Sequence, residues 1–428
     1  MKLNYKRTVL VGFAFFLICA FWQAYDTIVP LILTNRFNMS QTLSGVIMAL
    51  DNIFAVFLLP VFGLLSDRTK SPLGRRTPYI LGGTIAAALF LSAMGYATTL
   101  PVFIALLLGA LLSMATFRSP AVALMPDVTP KPLRSRGNAV INLMGTAGGI
   151  IVLLLASPFH TGDEGRTDFK AYLITVAVIM LLSLLVFFFT VKEPKWAADM
   201  EEESRAAGEE SDAEGVERAA AGGKLTRGQL RSLLFLLASV ALWYIGYNAV
   251  TSKYSVYASD VLKVSYSLTL LIAQGAAVVS YLPVGFLAAR IGRKRSILIG
   301  VAILTFAFGG AFFITPGSPA AWLMYPLFAL AGIGWATINV NSFPMVVELA
   351  SGADVGTYTG YYYTASMAAQ VVTPVLSGAL MDRFGMRWVF FPYAAIACAL
   401  AFVTMLFVRH GDTKPAAARG LEALDVDD

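Results

Sequence analysis

The amino-acid sequence predicts an all-α membrane protein with twelve transmembrane helices, arranged as two pseudo-symmetric six-helix bundles. Three observations lead to this fold class. Hydrophobic residues make up 57% of the 428 residues and charged residues only 14%, whereas soluble domains carry about 25% charged residues. The apolar residues fall into twelve long runs, and a long polar segment separates the first six runs from the last six.

Each of the twelve runs approaches or exceeds the length of about 20 residues that an α-helix needs to cross a bilayer. Backbone polar groups surrounded by lipid must form hydrogen bonds within their own segment, so each run is predicted to be a helix. The predicted spans are 8–33, 42–65, 77–97, 101–125, 138–158, 171–191, 231–257, 266–288, 296–315, 320–346, 357–379 and 388–408.

The polar segment predicts four regions: an N-terminal six-helix bundle (1–191), a cytoplasmic linker (192–228), a C-terminal six-helix bundle (229–410) and a cytoplasmic tail (411–428). The linker is rich in Glu and Ala and lacks the apolar residues of a packed core, so we expect it to be flexible or loosely helical. A weak repeat relates the two halves. The second span ends in LPVFGLLSDRTKSPLGRR and the eighth in LPVGFLAARIGRKR, as in transporters built from parallel repeats.

Basic residues predict the orientation. Most of the 32 Lys and Arg residues fall in the termini and in the loops on the same side as the termini, so both termini are expected in the cytoplasm of a multi-pass protein of the plasma or bacterial inner membrane. The net charge of +6 reflects this asymmetry. It does not indicate nucleic-acid binding, because no basic soluble domain is predicted. The first span contains Asp26 and is too long for a typical signal peptide, so it is interpreted as an uncleaved helix. We expect a monomer.

The sequence gives no indication of catalysis. Cys19 and Cys398 both lie inside predicted spans, which argues against a disulfide framework or a metal site. No nucleophile–base pair and no glycine-rich ATP-binding loop is recognisable. We therefore predict that the protein is not an enzyme and has no cofactor.

The loop after the second span contains the pattern Gly63-x-x-x-Asp67-Arg68, followed by Gly74-Arg75-Arg76. This pattern resembles the signature loop of the major facilitator superfamily, and together with the six-plus-six layout the resemblance covers nearly the whole chain. The resemblance implies secondary transport by rocking of the two halves. It also implies gating roles for Asp67, Arg68, Arg75, Arg76, Arg290 and Arg293. Asp67 is expected to face the start of the eleventh span near Gly356, where the helix dipole favours an anion, or alternatively to be only a topology determinant.

Within that superfamily the chain is similar to the sucrose-transporter and glycoside–pentoside–hexuronide branch. The similarity consists of Thr77-Pro78 after the arginine pair and of Phe117-Arg118-Ser119-Pro120 leading to Asp127. Two positions depart from the pattern. Leu107 stands where plant sucrose carriers have an aspartate, so their proton site does not transfer, and Ala289 replaces the loop aspartate in the second half.

Three charged residues are predicted at bilayer depth, where charges are costly and usually functional. At ~1.5 Å per residue, Asp26 and Asp51 lie at similar depths in the outer half and Arg118 lies roughly two helical turns deeper. We predict that a carboxylate binds the coupling ion, H⁺ or Na⁺, and that Arg118 binds substrate hydroxyls or pairs with the emptied carboxylate. The structural alternative is a static pair that holds the first bundle together. Lys253, near the outer end of the seventh span, is expected to snorkel to the interface, with a functional role as the alternative.

Polar and aromatic residues line the helices that surround the cavity in this superfamily. Pairs such as Trp22 and Asp26 are spaced i, i+4 and therefore share a helix face. Aromatic rings pack against sugar rings and amides bond hydroxyls, although such residues also form interfacial belts or join helices. The predicted substrate-binding residues are Trp22, Tyr25, Arg118, Tyr244, Tyr247, Asn248, Trp335, Asn339, Tyr362 and Gln370.

The predicted function is cation-coupled, preferably H⁺-coupled, symport of a sugar or glycoside. The alternatives are a proton-coupled drug or small-solute efflux antiporter and a non-transporting membrane sensor with the same fold. The fifth span argues against the antiporter, because its Gly145–Gly149 segment lacks the Gly-Pro motif found in antiporters of the superfamily.

Overall fold

The structure is a computed structural model, which describes residues 3–130, 133–160, 169–206, 226–347, 349 and 355–410. These residues form helices and short connections, and no β-strand occurs among them. The helices of the first half are α1 (Tyr5–Leu31, extended by a π-helical turn Ile32–Arg36), α2 (Gln41–Arg68), α3 (Thr77–Met94), α4 (Leu100–Asp127), α5 (Arg134–His160), α6 (Phe169–Thr190) and α7 (Glu193–Ala206). The helices of the second half are α8 (Arg227–Thr251), α9 (Tyr266–Ile291), α10 (Arg293–Phe312), α11 (Met324–Val347), α12 (Val355–Phe384) and α13 (Met386–Leu406).

The membrane-spanning helices confirm the predicted fold class. Ten stretches of the described chain are long and apolar enough to cross a bilayer, and two shorter apolar helices, Val140–Leu155 and Tyr266–Tyr281, fall on the fifth and eighth predicted spans. The twelve together correspond to the twelve predicted helices.

The chain divides into two compact units. The first contains Met1–Met39 and Leu50–Gly208, and the second contains Ser40–Ala49 and Glu209–Asp428. In the first unit α1 packs on α5 and α6, and α3 packs on α4 and α6. In the second unit α8 packs on α12 and α13, and α10 packs on α11 and α13. These four helix pairs occupy corresponding positions in the two halves, as pseudo-symmetry requires.

The first part of the predicted linker is more ordered than expected. Glu193–Ala206 forms the 14-residue helix α7 on the first unit. The Trp196 side chain is buried, and Arg7 of α1 both lies over its ring and forms a salt bridge of 2.7 Å with Asp199. Burial of one tryptophan and an ion pair hold this otherwise polar helix in place. The remainder of the linker and the tail beyond 410 lie outside the described residues.

The seventh predicted span is interrupted near its outer end. Helix α8 stops at Thr251, and the chain continues as a short helical turn, Tyr254–Val256, and a π-helical segment, Tyr257–Leu262. Lys253 lies at the break with non-helical dihedral angles, φ −138° and ψ 4°. Its side chain is completely buried, so the prediction that it snorkels to the interface is wrong. Its ammonium group instead bonds to Gln41 within the second unit.

Candidate functional site

The first unit brings the three predicted in-membrane charges together. Asp51 on α2 interacts electrostatically with Asp26 on α1 and with Arg118 on α4. All three side chains are partly buried. The backbone N–H and the side-chain amide of Asn52 donate to Asp51 Oδ1 at 2.6 and 2.8 Å. These hydrogen bonds fix one carboxylate oxygen of Asp51 and leave the other for a further ligand.

Aromatic rings from α1 surround the arginine of this cluster. The Arg118 guanidinium carbon lies 5.4 Å from the centroid of the Trp22 ring, which is within the range of a cation–π interaction. Trp22 packs edge-on against Tyr25, with ring centroids 5.3 Å apart. Trp22 Nε1 is buried and has no hydrogen-bond partner among the described residues. The site therefore holds an oriented cation and an indole N–H donor that is available to a ligand.

The charge balance of this cluster favours an additional cation. Two carboxylates and one guanidinium leave a net charge of −1 when all three groups are ionised, and charges in a medium of low dielectric constant interact strongly. A proton or metal cation at the carboxylates relieves their mutual repulsion. We call Asp26, Asp51 and Arg118 the charged cluster.

The second unit gathers four of the predicted substrate-binding residues into one aromatic cluster. Tyr247 and Trp335 stack face to face, with centroids 3.7 Å apart and ring planes 7° from parallel. Tyr244 meets Trp335 edge-on at 5.3 Å, and its hydroxyl lies 3.4 Å from the Tyr362 hydroxyl. Tyr362 is in turn bonded to Ser342 Oγ at 2.9 Å. Helices α8, α11 and α12 thus contribute to a continuous set of rings and hydroxyl groups.

The three predicted amides of this unit differ in their surroundings. Asn248 Oδ1 is buried without a hydrogen-bond partner among the described residues, so it offers an acceptor to a ligand hydroxyl. Asn339 is buried, with 7% of its surface exposed. Gln370 Nε2 donates to the Ser366 carbonyl of its own helix at 3.4 Å.

The signature loop forms an ion-pair network in the first unit. Arg76 pairs with Asp67 and with Asp127, whose Oδ2 accepts from Arg76 Nε at 2.7 Å. Arg75 binds the same Asp127 carboxylate at 2.7 Å, while Arg68 is exposed at the end of α2. Burial alone would lower the pKa of the Arg76 guanidinium, but the hydrogen bonds and charges of Asp127 and Asp67 hold it above its usual value.

The other predicted gating contacts are only partly described. The side chains of residues 355–357 lie outside the described part, so the predicted contact of Asp67 near Gly356 remains a prediction. In the second unit Arg290 is exposed in the last turn of α9, and Arg293 begins α10 and is partly buried.

The comparisons with known proteins decide the family. The sequence profile described as "Major Facilitator Superfamily" matches residues 11–368 and again 266–425, well over half of the chain. The chain belongs to the Major Facilitator Superfamily.

Two relatives match over shorter segments. An uncharacterised symporter of Synechocystis sp. is 29% identical over 168 residues, which cover 36% of this chain and 31% of the relative. An MFS-type transporter of the acurin A biosynthesis cluster of Aspergillus aculeatus is 28% identical over 144 residues, which cover 33% of this chain and 25% of the relative. The matches therefore span less than a third of the length of either relative.

Solved structures of this superfamily show the same fold over nearly the whole chain. The inward-open xylose transporter XylE from E. coli has a TM-score of 0.67 at 15% identity, with 98% of this chain and 99% of that chain covered. The nucleoside transporter NupG has a TM-score of 0.66 at 15% identity, with 95% and 100% covered. Identities this low establish the fold alone.

Sequence reasoning missed Glu193, the first residue of α7, which contacts the signature loop of this superfamily member. Its carboxylate is buried and accepts four hydrogen bonds at 2.7–2.9 Å, from the backbone N–H groups of Arg75, Arg76 and Thr77 and from the Thr77 hydroxyl. Glu193 therefore caps the N-terminus of α3 and fixes the backbone that carries the arginine pair. The polar segment contains many glutamates, and only the position of Glu193 directly after the sixth span distinguishes it from the others.

Proposed function

We propose that this superfamily transporter is a cation-coupled symporter, with H⁺ as the favoured ion, that carries a sugar or glycoside across the cell membrane. The observation that carries the proposal is the charged cluster, in which Asp51 interacts with both Asp26 and Arg118. A symporter needs a carboxylate whose affinity for a cation changes during the cycle, and a neighbouring arginine provides a competing partner.

Each of the two clusters, taken by itself, offers groups suited to a neutral polyhydroxylated substrate. Arg118 and Trp22 Nε1 supply donors in the first unit, and Asn248 Oδ1 supplies an acceptor in the second. Tyr247 and Trp335 supply a flat aromatic surface. Sites that combine apolar rings with a few placed polar groups are typical of small-molecule binding. The Synechocystis relative is itself named as a symporter, which agrees with the proposed coupling.

The proposal also includes a monomeric protein. Both of its termini are placed in the cytoplasm because of the distribution of Lys and Arg along the sequence. Labelling of single cysteines introduced at the two termini, in intact and in permeabilised cells, tests the orientation. Labelling in intact cells by an impermeant reagent would refute it.

The function is tested with the purified protein in proteoliposomes and a panel of labelled mono- and disaccharides. Uptake is measured with an imposed pH gradient, with a Na⁺ gradient and with neither, for the wild type and for Asp26→Asn and Asp51→Asn. We expect the variant of the coupling carboxylate to lose gradient-driven accumulation and to retain counterflow, in which no net cation movement is needed. Glu201→Gln, an exposed carboxylate on α7, serves as the matched control.

Two results would contradict this assignment. If both carboxylate variants accumulate sugar as well as the control does, the charged cluster is not the coupling site. If no sugar is taken up, and an imposed pH gradient instead drives efflux of lipophilic cations, the protein is an antiporter.

A further inference from the structure

The first turn of α2 is capped by a residue from another helix. Helix α2 begins at Gln41, and Asp382 near the end of α12 accepts hydrogen bonds from the Gln41 and Thr42 backbone N–H groups at 2.8 and 2.7 Å. The Thr42 hydroxyl donates to the same carboxylate at 2.5 Å. A carboxylate in this position satisfies two donors that an α-helix leaves free and interacts favourably with the helix dipole.

A buried ammonium group holds the same turn from the other side. Lys253 Nζ donates to the Gln41 carbonyl at 2.6 Å and to the Gln41 side-chain oxygen at 3.1 Å. The Lys253 and Asp382 charges attract one another. A buried charge is expensive unless it is paired and hydrogen-bonded, and here Asp382 supplies the opposite charge while Gln41 supplies both hydrogen-bond acceptors. We call Lys253, Asp382, Gln41 and Thr42 the α2 clamp.

Glycine residues let the two backbones touch beside the clamp. A Cβ atom at Gly378 of α12 would lie 2.3 Å from the Gln41 carbonyl oxygen, and a Cβ atom at Gly45 of α2 would lie 2.0 Å from the Pro374 carbonyl oxygen. No larger residue fits at either position without moving a backbone. The clamp therefore occupies a close-packed crossing of α2 and α12 within the second unit.

The clamp acts on a helix that also carries part of the charged cluster. Ser40–Ala49 belongs to the second compact unit, whereas α2 from Leu50 onward, including Asp51, belongs to the first. If the protein transports by alternating movement of its halves, as the proposed function requires, α2 cannot keep the same partners throughout the cycle. Asp382 is exposed, so water can solvate its carboxylate when the bonds open.

We infer that the α2 clamp is a releasable latch at the end of the bundle that the positive-inside pattern predicts to be extracellular. Closed, it holds the start of α2 on α12 and on the break after α8 that carries Lys253. Open, it frees α2 and admits solute and coupling ion from that side. Lys253 and Asp382 are thus positioning residues for a gate and do not bind the substrate.

The test measures opening directly, by labelling a cysteine that the closed latch buries. Ser44 is completely buried, and neighbouring Leu43 is 55% exposed. Ser44→Cys is expected to react slowly with a membrane-impermeant maleimide in proteoliposomes, and Leu43→Cys is expected to react quickly. Adding Asp382→Asn or Lys253→Met should accelerate the labelling of Ser44→Cys about tenfold, which corresponds to a shift of about 1.4 kcal/mol in the opening equilibrium. Lys263→Met, which removes an exposed charge from the same end of the second unit, should leave the rate unchanged.

A milder variant controls for misfolding as the cause of faster labelling. Thr42→Val removes one hydroxyl bond and keeps both charges, so it should accelerate labelling about threefold. All variants carry serine in place of the native cysteines Cys19 and Cys398, and size-exclusion chromatography confirms that they are folded.

The latch is refuted if none of the clamp variants accelerates the labelling of Ser44→Cys, or if Lys263→Met accelerates it as much as they do. The measurement needs no substrate. It therefore fails or succeeds independently of whether a sugar is transported.

Discussion

Replacing Glu193 by Gln should destabilise the protein strongly although the side chain keeps its shape. The native carboxylate accepts two bonds at each oxygen, from Arg75 and Arg76 at Oε1 and from Thr77 at Oε2. A glutamine retains one oxygen, so at least one backbone N–H faces an NH₂ group instead of an acceptor. The negative charge at the N-terminus of α3 is lost as well.

The loss of unfolding free energy in Glu193→Gln is estimated from the contacts of the carboxylate. A buried donor left without a partner costs about 1–3 kcal/mol, and hydrogen bonds to a charged group lose about 1 kcal/mol each when the charge is removed. Loss of the favourable interaction with the helix dipole adds about 0.3–1 kcal/mol. Together these terms give about 3–5 kcal/mol. At about 2–4 °C per kcal/mol for domains of 150–250 residues, the apparent melting temperature should fall by roughly 6–20 °C.

The assay is thermal unfolding in detergent at a fixed scan rate, followed by the fraction that remains monodisperse after heating. Glu201→Gln makes the same chemical change at an exposed position of the same helix and should behave like the wild type. If both variants melt at the same temperature, Glu193 does not hold the start of α3, and the ion-pair network of the loop must be fixed by other contacts.

Two further changes test single features of the structure. Gly74→Ala should lower the melting temperature more than Gly317→Ala. Both glycines have positive φ (105° and 70°), but only a Cβ at Gly74 would meet a side chain, at 2.3 Å. Equal effects of the two changes would show that backbone strain alone matters. If the proposed sugar is the substrate, Tyr362→Phe should raise its half-saturating concentration several-fold, because the change removes the hydroxyl that Ser342 and Tyr244 contact. Tyr361→Phe at an exposed neighbour should leave uptake kinetics unchanged, and equal kinetics for the two variants would exclude the Tyr362 hydroxyl from the site.

Local signals in the sequence predicted the helices and part of the site. Span length depends on bilayer thickness and on composition, so all twelve spans could be placed. The i, i+4 spacing of Tyr244 with Asn248 and of Trp335 with Asn339 indicated shared helix faces, and in the structure the rings of Tyr244 and Trp335 meet edge to face. The charged cluster was predicted because a charge at bilayer depth is costly. This cost marks a residue as functional without any knowledge of which residues contact it.

Contacts between residues far apart in sequence could not be predicted in this way. Asp382 and Thr42 are 340 residues apart, and Lys253 and Gln41 are 212 apart. Hydropathy placed Lys253 near the interface and therefore favoured snorkelling. A single sequence does not show that the Gln41 carbonyl oxygen approaches the Lys253 ammonium group. Glu193 was hidden for the same reason, since its four donors lie 116–118 residues away.

Helix α2 provides a mechanical connection between the latch and the charged cluster. Thr42 and Asp51 are nine residues apart on one continuous helix, a distance of ~13.5 Å along its axis. A helix transmits displacement of its end to its middle because its backbone hydrogen bonds hold successive turns rigidly together. If the proposed latch and the proposed coupling site are both correct, release of the first turn from Lys253 and Asp382 should change the position of Asp51 relative to Arg118, and with it the competition between the arginine and a coupling cation for that carboxylate. We therefore expect that a variant that weakens the latch also shifts the cation dependence of uptake, although Thr42 and Asp51 are about two and a half turns apart on α2. An unchanged cation dependence would contradict this connection.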